Sequence, residues 1–110
     1  MAIGLTCSAT AYQNPVINAD YSDPDVIRAG SGYYLVASSF DCEPGLPILQ
    51  SHDLVNWRLV AYAAHHHGKN LWATSIRQHG GWFWIYAGDP DRGIFVTRAR
   101  DPRGPWSPTS

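Results

Sequence analysis

The segments VIRAGSGYYLVASS (residues 26–39) and SIRQHGGWFWIYAG (residues 75–88) align with each other without a gap at an offset of 49 residues. Each is typical of a strand, a glycine-containing turn and a second strand, because apolar, β-branched and aromatic residues flank the glycine. An Ile-Arg pair, a turn glycine (Gly32 and Gly81) and a following aromatic pair recur in phase. The recurrence predicts a repeated β-hairpin.

The similarity continues downstream, in SHDLVNW (residues 51–57) and RARDPRGPW (residues 98–106). Their Asp and Trp residues recur at offsets of 48 and 49, and a short apolar run, PILQ or GIFVT, precedes each segment. The predicted unit is three or four short strands that end in an Asp-turn-Trp signature. Chance similarity between two hairpins is the alternative, and the shared phase of Arg, Gly, Asp and Trp argues against it.

A period of about 49 residues built from short strands predicts β-propeller blades. No segment keeps helical periodicity for three turns, so the predicted fold class is all-β. We expect an N-terminal extension (residues 1–13) and a partial propeller (residues 14–110), with blades at about 22–60 and 70–108. Propellers close with four to eight blades, so two blades would leave apolar faces exposed. We therefore expect the chain to belong to a longer protein or to self-associate through those faces.

The composition of the chain argues against nucleic acid and membranes as partners. The chain has 110 residues, 45% of them hydrophobic, and a net charge of −1 with scattered Lys and Arg, which does not favour nucleic acid. No window approaches the roughly 18 apolar residues of a membrane span. The first residues lack a basic region and a long apolar run, so they do not resemble a signal peptide, and the cellular compartment stays undecided. Cys7 and Cys42 could pair only in an oxidising compartment.

Two carboxylates flank a proline in YSDPDVIR (residues 21–28). Pro24 disfavours the α region at Asp23, so we expect an extended Asp23 directly before the first strand. A fixed carboxylate at a strand entrance of a propeller could act as a general base. Ordinary turn chemistry is the alternative, and from these residues alone it is the favoured one.

Two further polar stretches resemble loops. His65, His66 and His67 could bind a metal, but consecutive residues of an extended chain point to opposite sides, and no carboxylate cluster lies at ligand spacing. We predict a solvated loop between blades, no metal site and no cofactor. GDPDRG (residues 88–93) and FDCEPG (residues 40–45) are typical of hairpin loops, and both could overhang a central channel.

In combination, these motifs resemble a known family. NPV, YSDPDVIR, YYLVASSF, PGLPI, SHDLVNW, LWATSIR and GPWSP, between about residues 14 and 108, resemble the opening of glycoside hydrolase family 43, the β-xylosidase and α-L-arabinofuranosidase group. The resemblance implies a five-bladed propeller with its active site in the central channel. It also implies hydrolysis of xylose- or arabinose-containing saccharides with inversion, carried out by a base and an acid.

The resemblance assigns roles residue by residue. Asp23 matches the general base, whereas Asp25 occupies a position at which the family also accepts Ser. Phe40 and Trp72 match aromatic residues near the sugar, and Thr74, predicted to help bind substrate, stands where the family usually has Pro. The family's general acid and its pKa-adjusting Asp lie beyond the GPW motif, so we expect the 110-residue chain alone to be inactive.

Two alternatives stay undecided by the sequence. The FDCEPG loop carries Cys42 and Glu43 where bulky rings are common in the family, so the choice between xyloside and arabinoside is not predicted. A non-catalytic carbohydrate-binding module, or one that assembles through its blades, is the alternative to an enzyme.

Overall fold

Two antiparallel sheets make up the computed structural model of the chain, which describes residues 11–67 and 70–110. In each sheet, strands that follow one another in the chain are hydrogen-bonded neighbours. The first sheet contains β1 (Asp25–Ala29), β2 (Gly32–Val36), β3 (Gly45–Ser51) and β4 (Arg58–Ala64); the second contains β5 (Trp72–His79), β6 (Trp82–Asp89) and β7 (Gly93–Ala99). The predicted all-β class is confirmed. The described residues include no helix that could cross a membrane.

The hairpin turn of the first sheet lies one residue earlier than the 49-residue offset predicts. Ala29 pairs with Gly32, so the turn is formed by residues 30 and 31, and its glycine is Gly30 with φ of 61°. Gly32 is not a turn residue, as was predicted, but the buried first residue of β2. In the second sheet the turn is at residues 80 and 81, as expected for Gly81. The two hairpins therefore correspond at an offset of 50.

This shift changes which side chains are equivalent. Successive side chains of a strand point to opposite faces, so a shift of one residue exchanges the faces. Counted from the turns, Ile27 corresponds to Arg77 and not to Ile76. Both isoleucines nevertheless belong to one hydrophobic cluster, since Ile27 packs against the cluster that contains Ile76.

The Trp that ends each repeat closes its Asp turn in the same way. Trp57 donates its indole N–H to the carbonyl of Leu54 at 3.0 Å, and Trp106 donates to the carbonyl of Pro102 at 3.0 Å. In both repeats the acceptor is the residue directly after the Asp. The sequence signature thus corresponds to a shared hydrogen bond.

The main core lies between the two sheets. The first sheet contributes buried residues of β2, β3 and β4, the second contributes buried residues of β5 and β6, and strands β1 and β5 are in contact. The largest fully buried side chains of this cluster are Leu46, Ile48, Leu71, Ile76 and Ile85. A smaller cluster around Leu35 and Leu49 lies beneath the N-terminal segment that contains Ile17 and Tyr21.

The other face of the second sheet carries cations over aromatic rings. The guanidinium of Arg98 lies 4.3 Å from the ring centre of Trp82, and that of Arg100 lies 3.8 Å from the same ring. On this face Tyr86 is 45% exposed and Ile94 is 79% exposed. Self-association through such a face stays a prediction.

The loop between the sheets is only partly solvated. His65 and His66 are exposed, but the ring of His67 packs edge-on against Phe95, with ring centres 4.6 Å apart, and lies 2.7 Å from Thr109 Oγ1. The prediction of a solvated loop is therefore wrong for His67. Burial, assisted by the positive charge of Arg92, lowers the pKa of His67.

Two further predictions concern metal ligands and cysteines. Among residues 11–67 and 70–110, no group of three His, Cys, Asp or Glu side chains could hold a metal ion. Cys42 is exposed and has a free thiol. Cys7 lies outside the described residues, so the predicted dependence of their pairing on the compartment is not tested.

Candidate active site

An isolated β-bridge brings the predicted site segments together. Phe40 follows β2, and Leu71 directly precedes β5; these two residues form an antiparallel bridge. The N–H of Phe40 donates to the carbonyl of Leu71 at 3.1 Å, and the N–H of Asn70 donates to the carbonyl of Phe40 at 2.8 Å. The bridge joins the two sheets next to Trp72, the first residue of β5.

Two half-exposed aromatic rings result from this bridge. The ring centres of Phe40 and Trp72 are 5.9 Å apart with an interplanar angle of 61°, an edge-to-face arrangement that aromatic pairs favour. Phe40 is 40% exposed and Trp72 is 42% exposed. The pair therefore presents apolar surface to solvent from a position fixed by backbone hydrogen bonds.

Asp23 does not have the extended backbone that was predicted. Its φ is 47°, in the left-handed region, and its side chain is exposed. The N–H of Ser38 donates to the carbonyl of Ser22 at 3.0 Å, and this contact with the end of β2 holds the peptide that precedes Asp23. Here a tertiary hydrogen bond overrides the local preference of a residue before proline. Asp tolerates the left-handed region better than most residues.

Three residues around this point share the left-handed conformation. Asp23, Phe40 and Ala73 have φ values of 47°, 47° and 46°. Such a backbone is sparsely populated by residues other than glycine, and it concentrates at functional sites. Four further non-glycine residues among those described also have positive φ, so the conformation by itself does not single out this edge of the two sheets.

One buried hydroxyl connects these residues. Ser38 is 5% exposed, and its Oγ donates a long hydrogen bond to Asp23 Oδ2 at 3.4 Å. The same Oγ accepts the N–H of Ala73 from the second sheet at 2.8 Å. Sequence reasoning missed Ser38, because a Ser at the end of an apolar strand gives no signal of its partners.

Asp25 has a different environment although it lies two residues away. Its Oδ2 accepts the N–H of Ile76 at 2.9 Å and the hydroxyl of Ser75 at 3.2 Å, and it forms an ion pair with Arg77. Partial burial by itself would raise the pKa of Asp25, but these hydrogen bonds and the charge of Arg77 outweigh it, so the pKa is lowered. Asp25 therefore holds the second sheet against the first.

Thr74 is buried and not at the exposed surface of the site. It is 7% exposed, and within the part of the chain that the structure describes its Oγ1 has no hydrogen-bond partner. It follows Ala73 in β5. A direct contact with substrate stays a prediction.

The two strand-connecting loops are held by carboxylates. Glu43 accepts the N–H of His66 at 2.6 Å, which ties the FDCEPG loop to the segment between the sheets. Asp89 is 3% exposed and accepts the N–H groups of Asp91 and Arg92, as expected of a turn. Hydrogen bonds from the following residues outweigh the effect of burial and lower the pKa of Asp89.

Residues 12–110 match the family model of glycosyl hydrolases family 43. The chain belongs to glycosyl hydrolase family 43. Similarity to solved structures agrees with this: the xylan beta-1,4-xylosidase from Bacillus halodurans C-125 superposes with a TM-score of 0.78 at 27% identity, over 90% of this chain and 22% of that chain. The family 43 structures that it resembles are five-bladed propellers, so the two sheets are propeller blades.

The relatives that the chain resembles include proteins named for two different activities. The chain is 35% identical to a non-reducing end alpha-L-arabinofuranosidase of Bacteroides ovatus, in an alignment that covers 94% of this chain. It is 34% identical to a beta-xylosidase of Formosa agariphila, in an alignment that covers 87% of this chain. These alignments cover 22% and 19% of the two relatives. The chain thus spans about a fifth of the length of the family 43 proteins that it matches.

Proposed function

We propose that this chain forms part of a glycosidase that hydrolyses O-glycosidic bonds in xylose- or arabinose-containing saccharides with inversion, and that Asp23 is the general base. The observation that carries the proposal is the exposed Asp23 carboxylate, connected through Ser38 to the segment that carries Trp72. Family membership and relatives named as xylosidases and arabinofuranosidases support the substrate class.

In this mechanism Asp23 removes a proton from water as the water attacks the anomeric carbon. A second carboxyl group protonates the leaving oxygen from the opposite side of the sugar. Asp25 is unsuited to that role because its carboxylate accepts three donors from the second sheet. We place the general acid outside these 110 residues.

The sugar-binding part of the proposal rests on the two exposed rings. Phe40 and Trp72 offer apolar surface against which the face of a pentose that carries C–H bonds can pack. Thr74, buried two residues after Trp72, is proposed to contribute to the same subsite. The edge-to-face contact between the rings limits their rotation, which lowers the entropy that is lost when the sugar binds. Nothing in this pair distinguishes a xyloside from an arabinofuranoside.

The test of the base is Asp23→Asn in a full-length protein that contains this segment. We expect turnover of nitrophenyl β-xyloside or α-arabinofuranoside to fall by about 10² to 10⁴, since that is the typical contribution of a general base. KM and the thermal midpoint should stay near the wild-type values. Asp20→Asn is the matched control, because Asp20 is exposed in the same segment and, among residues 11–67 and 70–110, accepts a hydrogen bond from the Ser22 side chain alone. Activity of Asp23→Asn within tenfold of wild type would rule out Asp23 as the base.

The location of the acid is tested with the 110-residue chain itself. We expect no release of nitrophenol by this chain at concentrations at which the full-length protein turns over. Turnover by the purified chain would show that both catalytic groups lie within it.

Assembly through a blade face is a second candidate function, favoured by the exposed Tyr86 and Ile94 on the outer face of the second sheet. The mass of the chain in solution tests it. A concentration-dependent mass that Ile94→Lys reduces to that of a monomer would support assembly, and a monomer at all concentrations would contradict it.

A further inference from the structure

We propose that Ser38 is a positioning residue that fixes the orientation of the Asp23 carboxylate and leaves Oδ1 as the oxygen that accepts the proton from water. The proposal rests on the proposed role of Asp23 as the base. It adds a residue that connects the base to the second blade.

The backbone of Ser38 acts on Asp23 first. Its N–H holds the carbonyl of Ser22, which belongs to the peptide bond that enters Asp23. The left-handed φ of 47° at Asp23 costs free energy, and such a conformation persists only where its surroundings determine it. Ser38 provides one of these determinants from a position two residues after β2, where the preceding Val36 and Ala37 are 0% exposed.

The hydroxyl of Ser38 acts on the side chain of Asp23. A serine hydroxyl has one proton to donate and two lone pairs that accept. The N–H of Ala73 can only donate, so it occupies a lone pair of Ser38 Oγ at 2.8 Å. The proton of the hydroxyl is then available for the remaining partner, Asp23 Oδ2, at 3.4 Å.

The two carboxylate oxygens of Asp23 thereby become different. Oδ2 is the acceptor for Ser38, and among the described residues no hydrogen bond to Oδ1 is found. A base positioned in this way presents one defined oxygen to the attacking water, which favours the aligned geometry on which the rate depends. At 3.4 Å this contact is longer than the usual length of about 2.5–3.0 Å of an O–H···O hydrogen bond, and we expect it to shorten when substrate binds.

The same hydroxyl couples the base to the packing of the two blades. Ala73 belongs to β5, and its position depends on the bridge between Phe40 and Leu71. A shift of β5 relative to the first sheet would therefore move the Ala73 N–H that donates to Ser38 Oγ. The hydroxyl of Ser38 would follow, and with it the Asp23 carboxylate. Ser38 is a positioning residue and not a catalytic one, since it need not touch substrate.

The experiment compares Ser38→Ala, Ser38→Thr and Ser39→Ala in a full-length protein that contains this segment, with Asp23→Asn as reference. Ser39 is the matched control, because it is buried beside Ser38 and its Oγ has no partner among the described residues. Ser38→Ala is expected to lower kcat by about tenfold to a hundredfold, the loss typical of a misplaced catalytic group, with KM within about twofold. Ser38→Thr, which retains a hydroxyl, is expected to recover kcat to within about threefold of wild type, and Ser39→Ala should leave kcat unchanged.

The outcomes separate this proposal from the one on which it rests. If Asp23→Asn is active, the proposed base is wrong. If Asp23→Asn is inactive while Ser38→Ala keeps its kcat, or if Thr does not recover what Ala loses, the positioning role of Ser38 is wrong and the base stands. Should Ser38→Ala fail to fold, Ser38→Cys keeps the volume with a weaker donor; a full kcat in that variant would likewise overturn the proposal.

Discussion

The carboxylate of Asp25 accepts the backbone N–H of Ile76 from the other blade, at 2.9 Å. β5, to which Ile76 belongs, is an edge strand of the second sheet, and such edges present backbone groups without a strand partner. The contact satisfies one of these groups and fixes β5 relative to β1. The two carboxylates on either side of Pro24 thus have different roles. Asp25 connects the two blades, and Asp23 is the proposed general base.

Asp25→Asn should loosen the contact between the blades. We expect the free energy of unfolding of this chain to fall by about 1–3 kcal/mol, since the variant loses hydrogen bonds to a charged acceptor. Because the pKa of Asp25 is lowered in the folded chain, its contribution is present above the usual value of 3.8 and is lost as the pH falls through the lowered pKa. Urea unfolding at pH 7 and pH 3 measures this, with Asp20→Asn as control; equal stability of Asp25→Asn and wild type at pH 7 would contradict it.

Phe40→Ala and Trp72→Ala should weaken sugar binding more than they slow the chemical step. In a full-length protein we expect each to raise KM about tenfold, equivalent to about 1.4 kcal/mol. Because the rings touch, the effects should not add: the double variant should lose less than the sum of the two. Tyr12→Ala, at a residue 63% exposed outside the site, serves as control. Strict additivity would indicate that the rings act independently.

Thr74→Val should stabilise the chain. Its buried Oγ1 has no partner among the described residues, and an apolar group of the same shape avoids the cost of removing a hydroxyl from water. We expect a gain of about 1 kcal/mol in the free energy of unfolding. Thr97→Val is the contrasting control, because the Oγ1 of Thr97 donates to the carbonyl of Ser107. Loss of stability in both variants would show that Thr74 has a partner.

His67 should make the stability of the chain depend on pH below its ordinary pKa of 6.5. The pKa of His67 is lowered from 6.5 in the folded chain, so its stabilising contribution is complete above 6.5 and declines as the pH falls toward the lowered pKa. His67→Gln should reduce this slope, whereas His65→Gln, at an exposed position, should retain it. The measurement is urea unfolding across this pH range. An unchanged slope in His67→Gln would mean that other groups cause the dependence.

The sequence predicted what depends on local pattern. Strands and the Asp-turn-Trp signature recur within about 49 residues, and hydrophobic periodicity and turn chemistry report such features directly. The turn glycine was predicted correctly in the second hairpin, at Gly81, but not in the first, where it is Gly30 and not Gly32. The assignment of the chain to its family followed from the same motifs. These features are independent of how the two sheets pack.

The sequence did not predict what depends on partners far along the chain. Proline chemistry predicted an extended Asp23, but a hydrogen bond from Ser38 decides its backbone. The role of Asp25 depends on donors about fifty residues later, and the burial of His67 depends on Phe95 and Thr109. Each difference arises where a tertiary contact outweighs a local preference.

The one-residue displacement between the two hairpin turns has a consequence for anyone who recombines or designs these blades. A graft that follows the apparent 49-residue register would replace Ile27 by Ile76. The residue type would stay the same, but counted from the hairpin turns the side chain would be on the opposite face of the sheet. A graft that follows the 50-residue offset of the turns would place Ile27 at the position of Arg77. The contact between the blades would then lose the ion pair between Arg77 and Asp25. Blades of this chain are therefore interchangeable as backbones only if the residues at their junction are redesigned together.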